Sequence, residues 1–98
     1  MSDESITVRF DGDNNRFLAE VDGTQAGVCK YLDEGDVWVI THTVVDEAFE
    51  GRGIGSLLAR AALDGAREQG KKVVPQCPFV AAYVGKHDDW NDILVPAA

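Results

Sequence analysis

The chain has no apolar run approaching the roughly 20 residues of a membrane span, so no membrane partner is expected. Basic residues are scarce. Nine Lys and Arg stand against seventeen Asp and Glu, a formal net charge of -8, and the only basic pair in sequence is Lys71-Lys72. A surface of that sign repels nucleic acid, and there is no Lys/Arg stripe to offset it. Nucleic acid is therefore excluded as an expected partner. Cationic partners such as amines or polyamines suit the surface better, and plain solubility explains it equally. Cysteine is also rare. Cys29 and Cys77 lie far apart, and with His42 and His87 they show no metal-ligand spacing, so no metal is expected. A single disulfide is conceivable, but nothing points to an oxidising compartment. Met1-Ser2-Asp3-Glu4-Ser5 is acidic and polar, the opposite of a signal peptide, so the expected address is cytoplasmic. Three prolines, ten glycines, no internal repeat and no linker exclude collagen-like and multidomain readings. With 98 residues, 45% of them hydrophobic, the expectation is one domain, 1–98, with a small core.

What is present is patterned. Ser5 to Phe10 alternates, with Ile6, Val8 and Phe10 on one face. Asp11-Gly12-Asp13-Asn14-Asn15 forms a turn cluster. Arg16 to Val21 reads as a second strand, and Asp22-Gly23 as a hairpin turn. Gln25 to Leu32 is a third strand, closed by Asp33-Glu34-Gly35-Asp36. Val37 to Val45, rich in β-branched residues, is a fourth. Short connections make these an antiparallel meander. The period then changes. Ile54, Leu57, Leu58, Ala61, Ala62 and Gly65 follow helical spacing, which predicts a helix from Gly53 to Gln69 with Gly70 as its stop. Lys71 to Gln76 is a short strand. After a crossover helix it is expected to rejoin the sheet parallel to the fourth strand. Pro78 opens a second helix to about Gly85, and Asp88 to Leu94 forms one more short turn or helix. The predicted class is α/β (α+β): a mixed sheet of four antiparallel strands, a crossover helix, a parallel fifth strand and a C-terminal helix. The fourth and fifth strands are expected to splay apart and admit a ligand at their carboxyl ends.

Between the fourth strand and the long helix lies Glu50-Gly51-Arg52-Gly53-Ile54-Gly55-Ser56. Glycines at alternate positions let backbone approach a ligand closely. They also put several N–H groups at a helix N-terminus, a ready anion site, where Arg52 adds positive charge. Neither common nucleotide loop fits. A Walker loop needs Gly-Lys-Ser/Thr where this chain has Gly55-Ser56-Leu57. A dinucleotide fingerprint needs its third glycine one residue later, in an opening βαβ unit. A glycine-rich connection with no ligand is the bland alternative.

The stretch Arg52-Gly53-Ile54-Gly55-Ser56-Leu57-Leu58, after a strand and opening a helix, resembles the pyrophosphate loop of the GNAT acetyltransferase superfamily, usually written Gln/Arg-x-x-Gly-x-Gly/Ala. Glu50 stands where the Gln or Arg would be, so its carboxylate is expected to point away from the phosphates. Val44-Val45-Asp46-Glu47-Ala48-Phe49, the later Cys77-Pro78-Phe79-Val80 with Tyr83, and His42 in Thr41-His42-Thr43 are similar to a very small GNAT subfamily of this chain's length. The resemblance covers Ile6 to Leu94. It implies an acetyl-CoA-dependent N-acetyltransferase with acetyl-CoA or coenzyme A as cosubstrate and an unidentified amine acceptor, small molecule or protein. It also implies backbone hydrogen bonds from Val44 and Val45 to the pantetheine, with Gly51, Arg52, Gly53, Ile54, Gly55 and Ser56 around the pyrophosphate. The chain's brevity keeps a second reading open, a non-catalytic CoA or acyl-CoA binding module or partner subunit.

Two residues are candidate catalysts. Cys77 precedes a helix that begins at Pro78, where the helix dipole favours thiolate. It is expected to be open to a thioester, either taking the acetyl group covalently or lining the pocket while an amine attacks directly. A buried apolar role is the alternative. His42 falls on the same side of its strand as Trp38 and Ile40 if alternation holds, and suits a general base; a hydrogen-bonded structural histidine is the alternative. In larger GNAT enzymes a tyrosine spaced similarly to Tyr83 protonates the leaving CoA thiolate, although core packing explains Tyr83 as well. Lys86 and His87 reach toward CoA phosphates or simply end a solvated helix. Cys29 reads as structural, and Trp90 as packing the C-terminal segment onto the core.

Overall fold

The computed structural model describes residues 5–95. Its elements are β1 (Ile6–Asp11), β2 (Arg16–Val21), β3 (Thr24–Asp33), β4 (Val37–Val45), α1 (Ile54–Glu68), β5 (Lys72–Pro75) and α2 (Pro78–Lys86). Single 3-10 turns occur at Gly12–Asn14, Glu47–Phe49 and Asp88–Trp90. The sheet order is β1-β2-β3-β4-β5. The first four strands pair antiparallel, and β5 joins β4 parallel. The mixed sheet of the sequence reading is therefore present, with small shifts at element ends. β3 starts at Thr24 because Asp22 and Gly23 both take positive φ, 50° and 86°. That two-residue turn matches strand twist and lets Thr24 pair with Val21 at once. β5 is shorter than expected because the Gln76 N–H turns back to the Val74 carbonyl at 2.9 Å.

One face of the sheet carries α1. The buried stripe of the helix is Ile54, Gly55, Leu58, Ala59, Ala62, Leu63 and Ala66. It lies further round the helix than the sequence reading placed it, so Leu57 is 38% exposed. Small residues on and beside this stripe bring the helix close to the sheet. At Gly65 an added Cβ would stand 2.7 Å from the Phe17 ring. Beneath lies an aromatic group in which Tyr31 stacks on Trp38 with centroids 4.0 Å apart and Phe17 meets both. Burying each large apolar side chain contributes about 1.5–3 kcal/mol.

The C-terminal segment closes the exposed side of β5. The Val73 N–H donates to the Ile93 carbonyl, and the Val95 N–H to the Val73 carbonyl, each at 2.8 Å. This protects an edge that would otherwise be open to pairing. Trp90 is buried as expected, and its indole N–H donates to Asp64 of α1 at 2.9 Å. The Arg67 guanidinium meets the Asp92 carboxylate nearby. Among the described residues, no helix is long and apolar enough to cross a membrane.

Candidate functional site

The site begins with a change of phase in β4. Against β3, Lys30 pairs with His42 but its neighbour Tyr31 pairs with Ile40. Thr41 is the extra residue of a β-bulge, and a one-residue slip turns every later side chain to the other face. Trp38 and Ile40 belong to the core under α1. Beyond the bulge it is Thr43 and Val45 that face this side, and His42 and Val44 that face away, both exposed. The expectation that His42 shares a face with Trp38 and Ile40 is thus corrected: simple alternation fails at Thr41. The His42 Nδ1 rests 2.9 Å from the Thr41 hydroxyl.

The same strand loses its second neighbour at this point. β4 pairs with β5 from Val37 with Lys72 to Ile40 with Pro75. A last bond runs from the Cys77 N–H to the Ile40 carbonyl at 2.8 Å. Residues 41–45 continue beside β3 alone. The opening between the fourth and fifth strands is therefore where the sequence reading put it.

The loop after β4 leads from this opening to α1. Asp46 accepts the Ala48 N–H at 2.9 Å and caps the Glu47–Phe49 turn. Gly51 and Gly53 take φ of 83° and 76°, with open space where a Cβ would stand. They serve backbone conformation. Gly55 serves proximity, since a Cβ there would lie 2.8 Å from the Phe79 ring of α2. The three glycines thus do two different jobs, where spacing alone suggested one. Gly53 offers no side-chain cap, and the first bond of α1 runs from the Leu57 N–H to the Gly53 carbonyl at 3.1 Å. The N–H groups of Ile54, Gly55 and Ser56 therefore have no intrahelical acceptor, and they lie at the positive end of the helix.

These parts enclose a cavity of about 400 Å³, lined by Thr43, Val45, Phe49, Glu50, Gly51, Gly53, Ile54, Gly55, Ser56 and Phe79. A second, of about 310 Å³, shares Ser56 and Phe79 and adds Ala82, Tyr83, Lys86 and His87. Of the expected contacts, Val45, Gly51, Gly53, Ile54, Gly55 and Ser56 line the first cavity, and Tyr83 and Lys86 the second. Val44 turns its side chain away, at 56% exposure. Its backbone faces Val28 of β3, because the bond from the Asp46 N–H to the Ala26 carbonyl makes 44 and 28 a hydrogen-bonded pair. The expected backbone contact with a ligand is thus corrected for Val44 and left to Val45. Arg52 holds its guanidinium over the Phe49 ring, 5.3 Å from the centroid. Glu50 is among the residues of the cavity wall.

The family model for GCN5-related N-acetyl-transferases matches residues 16–93 of this sequence. The chain belongs to the GCN5-related N-acetyltransferase family. It is similar to protein NATD1 of Xenopus tropicalis, 35% identical over 82 residues, which cover 82% of this chain and 75% of that protein. The solution structure of a GCN5-like protein from Staphylococcus aureus superposes with a TM-score of 0.68 at 24% identity, covering 100% of this chain and 94% of the other. Rv2747 of Mycobacterium tuberculosis, solved in complex with CoA, gives a TM-score of 0.58 at 23% identity over 76% of this chain and 47% of that one. Both likenesses are of fold.

Within this N-acetyltransferase fold, Cys77 is the N-cap residue of α2, with Pro78 at its first turn. Its expected openness is corrected: it is 4% exposed and absent from both cavity walls. The bond of its N–H to Ile40 keeps the residue against β4, and its thiol donates inward to the Thr43 hydroxyl at 3.4 Å. Burial works to raise the thiol's pKa. Hydrogen bonding from the Thr43 hydroxyl, from the Val80 and Phe79 backbone at the start of α2, and from the Thr43 backbone outweighs it, and the pKa lies below the ordinary cysteine value. Cys29 is the opposite case. Completely buried, it is pushed up to about 11 by desolvation, against a hydrogen bond from Thr43 at 3.6 Å. Both cysteines are free.

Sequence reasoning missed Thr43 and Phe79. Thr43 required knowledge of the bulge. Phe79 had a signal in the Cys77-Pro78-Phe79 stretch, but its role as the wall between two cavities depends on α2 lying across the start of α1. Tyr83 is half-buried, with His87 and Trp90 rings 4.4 and 5.6 Å away.

Proposed function

We propose that the protein transfers the acetyl group of acetyl-CoA to an amine, with Cys77 as the intermediate acceptor. One observation carries the reading. The unpaired edge of β4 after Ile40 opens onto the uncapped N-terminus of α1, across a single cavity. A strand edge offers backbone donors and acceptors to a pantetheine amide chain, here at Val45, since antiparallel alternation turns the Val44 backbone to Val28 of β3. The amides from Gly53 to Ser56 suit a pyrophosphate. Lys86, on the second cavity, suits a further phosphate. The bound CoA of the structural relative Rv2747 supports this cosubstrate.

The chemistry follows from the thiol. Ionised Cys77 attacks the thioester carbonyl carbon, the bond to the CoA sulfur breaks, and CoA leaves as thiolate to be protonated by solvent or by Tyr83. An amine then attacks the acetyl-cysteine carbonyl, and the Cys77 thiolate leaves. The exposed His42 is the candidate base that takes the amine's proton, from the face opposite α1. The acidic surface favours a cationic acceptor. No basic side chain other than the helix-end Lys86 and His87 lines either cavity, and Cys77 is buried. Those facts favour the second reading, a CoA-binding module without turnover.

Incubation with acetyl-CoA alone, followed by intact mass and peptide mapping, separates the two. The expected outcome is one acetyl group on Cys77 with release of an equal amount of CoA thiol. His42→Ala is expected to leave CoA affinity intact and to lower transfer to amines by about 100-fold. Transfer that survives Cys77→Ala makes direct attack by the amine the mechanism. CoA binding with no thiol release under any amine establishes the binding module.

A further inference from the structure

The Thr43 hydroxyl has a sulfur on either side of it, and it stands in the wall of the cavity. We propose that Thr43 is the positioning residue of Cys77, with a hydroxyl proton that points to Cys29 while Cys77 is a thiol and turns to Cys77 when it becomes a thiolate. The inference rests on the proposed function only in taking Cys77 as the reactive thiol.

The argument is one of inventory. A hydroxyl has one proton to give and lone pairs to accept with. In the structure the Cys77 thiol donates to the Thr43 oxygen at 3.4 Å, and the Thr43 hydroxyl donates onward to the Cys29 sulfur at 3.6 Å. Once Cys77 gives its proton to solvent, it has nothing to donate and becomes the stronger acceptor. A hydrogen bond to an ion exceeds one to a neutral sulfur, so the hydroxyl turns. Cys29 cannot hold it back. Completely buried and pushed up to about 11, it remains a neutral thiol while Cys77 ionises. A neutral thiol cannot take up a further proton either, so this is a reorientation and not a proton relay.

The placement follows from the bulge at Thr41. It turns Thr43 to the α1 side, directly across from Cys29 in the β3/β4 register. The titratable groups on the elements packed around Cys77 are Cys29, Lys30, Tyr31 and Asp33 on β3, His42 on β4, Arg60, Asp64, Arg67 and Glu68 on α1, Lys72 on β5, and Tyr83 and Lys86 on α2. His42 faces the opposite side, and Lys72 and Lys86 are exposed. Cys29 is the one whose charge couples to that of Cys77.

The test reads the thiol itself. The rate of Cys77 alkylation by iodoacetamide is followed against pH by peptide mass spectrometry, on the whole protein without CoA. Thr43→Val removes the hydroxyl at nearly constant volume. It is expected to move the midpoint up by about one unit and to slow alkylation about tenfold below the wild-type midpoint. Thr43→Ser is expected to restore the midpoint. Cys29→Ala removes the competing acceptor and is expected to leave the midpoint at or below wild type. Thermal unfolding checks that each variant is folded, and Thr43→Ala serves in place of Thr43→Val if the latter is not. A wild-type midpoint in the folded hydroxyl-less variant overturns the proposal. So does an upward shift in Cys29→Ala as large as that in Thr43→Val, which would trace the effect to packing. Because no acetyl transfer is measured, failure of the enzymatic reading leaves this result standing, and the reverse also holds.

Discussion

The two halves of β4 do opposite work. Residues 37–40 run between β3 and β5, and Trp38 and Ile40 are 1% and 0% exposed. Residues 41–45 have β3 on one side and the opening on the other, and Thr43 and Val45 form a cavity wall. The change occurs at one residue, the bulged Thr41. A strand paired on both sides has spent its backbone hydrogen bonds on the sheet, whereas one paired on a single side has those of every second residue left for a ligand. The site therefore lies where pairing is withheld, and stability should reside in the adjoining segment. Substitutions at the two ends should separate those properties.

The largest effect is expected at the paired end. Trp38 stacks on Tyr31 and lies near Phe10 and Phe17. Trp38→Ala should lower the unfolding free energy by about 3–5 kcal/mol in a urea titration, a large part of the 5–15 kcal/mol typical of such a domain. CoA affinity, measured on the fraction that remains folded, should be unchanged. Weakened CoA binding in folded Trp38→Ala would break the division of β4 into two halves.

The paired end was also the part legible in the sequence. Alternation found the strands of the meander, helical spacing found α1, and the loop from Glu50 to Ser56 stood out by its glycines. The site was less legible, for physical reasons. A bulge has no local signature in Ile40-Thr41-His42-Thr43, because any of these residues tolerates either phase, so His42 was assigned to the wrong face. The inward turn of the Cys77 sulfur depends on a hydroxyl contributed by a strand 34 residues earlier. The three glycines looked equivalent, yet only their backbone angles and the position of Phe79 distinguish them. Local pattern specifies elements; contacts between distant residues specify the chemistry.

At the open end a middle-sized effect is expected, on binding. Gly53 holds φ at 76°, where an L-residue is disfavoured by about 1–2 kcal/mol. Gly53→Val should weaken CoA binding more than about tenfold, or ~1.4 kcal/mol by calorimetry, because the loop amides leave their positions. Gly70 makes the control. It has φ of 71° just past the far end of α1, also with open space at its Cβ position. Gly70→Val should lose similar stability and keep its CoA affinity. Gly55 sharpens the point further. Gly55→Ala presses on Phe79, so a double variant with Phe79→Ala should recover the packing loss and leave any loss of phosphate contact visible.

The smallest effect is expected at Arg52, and its size decides what kind of site this is. Arg52 is exposed and lies over the Phe49 ring, an arrangement worth about 0.5–1 kcal/mol at a surface. A charge in that setting is screened by water and salt. If backbone amides hold the phosphates, Arg52→Ala should weaken CoA binding by about threefold or less, well under 1 kcal/mol, and slightly flatten its dependence on salt. Phe49 lines the cavity, so part of even that loss should come from a ring freed of its guanidinium, and Arg52→Met should recover it by covering the ring without charge. A loss as large as that of Gly53→Val, unrecovered by Arg52→Met, would mean that a side-chain charge holds the ligand. The open half of β4 would then border a site built from side chains, and the withheld strand pairing would no longer account for where the ligand binds.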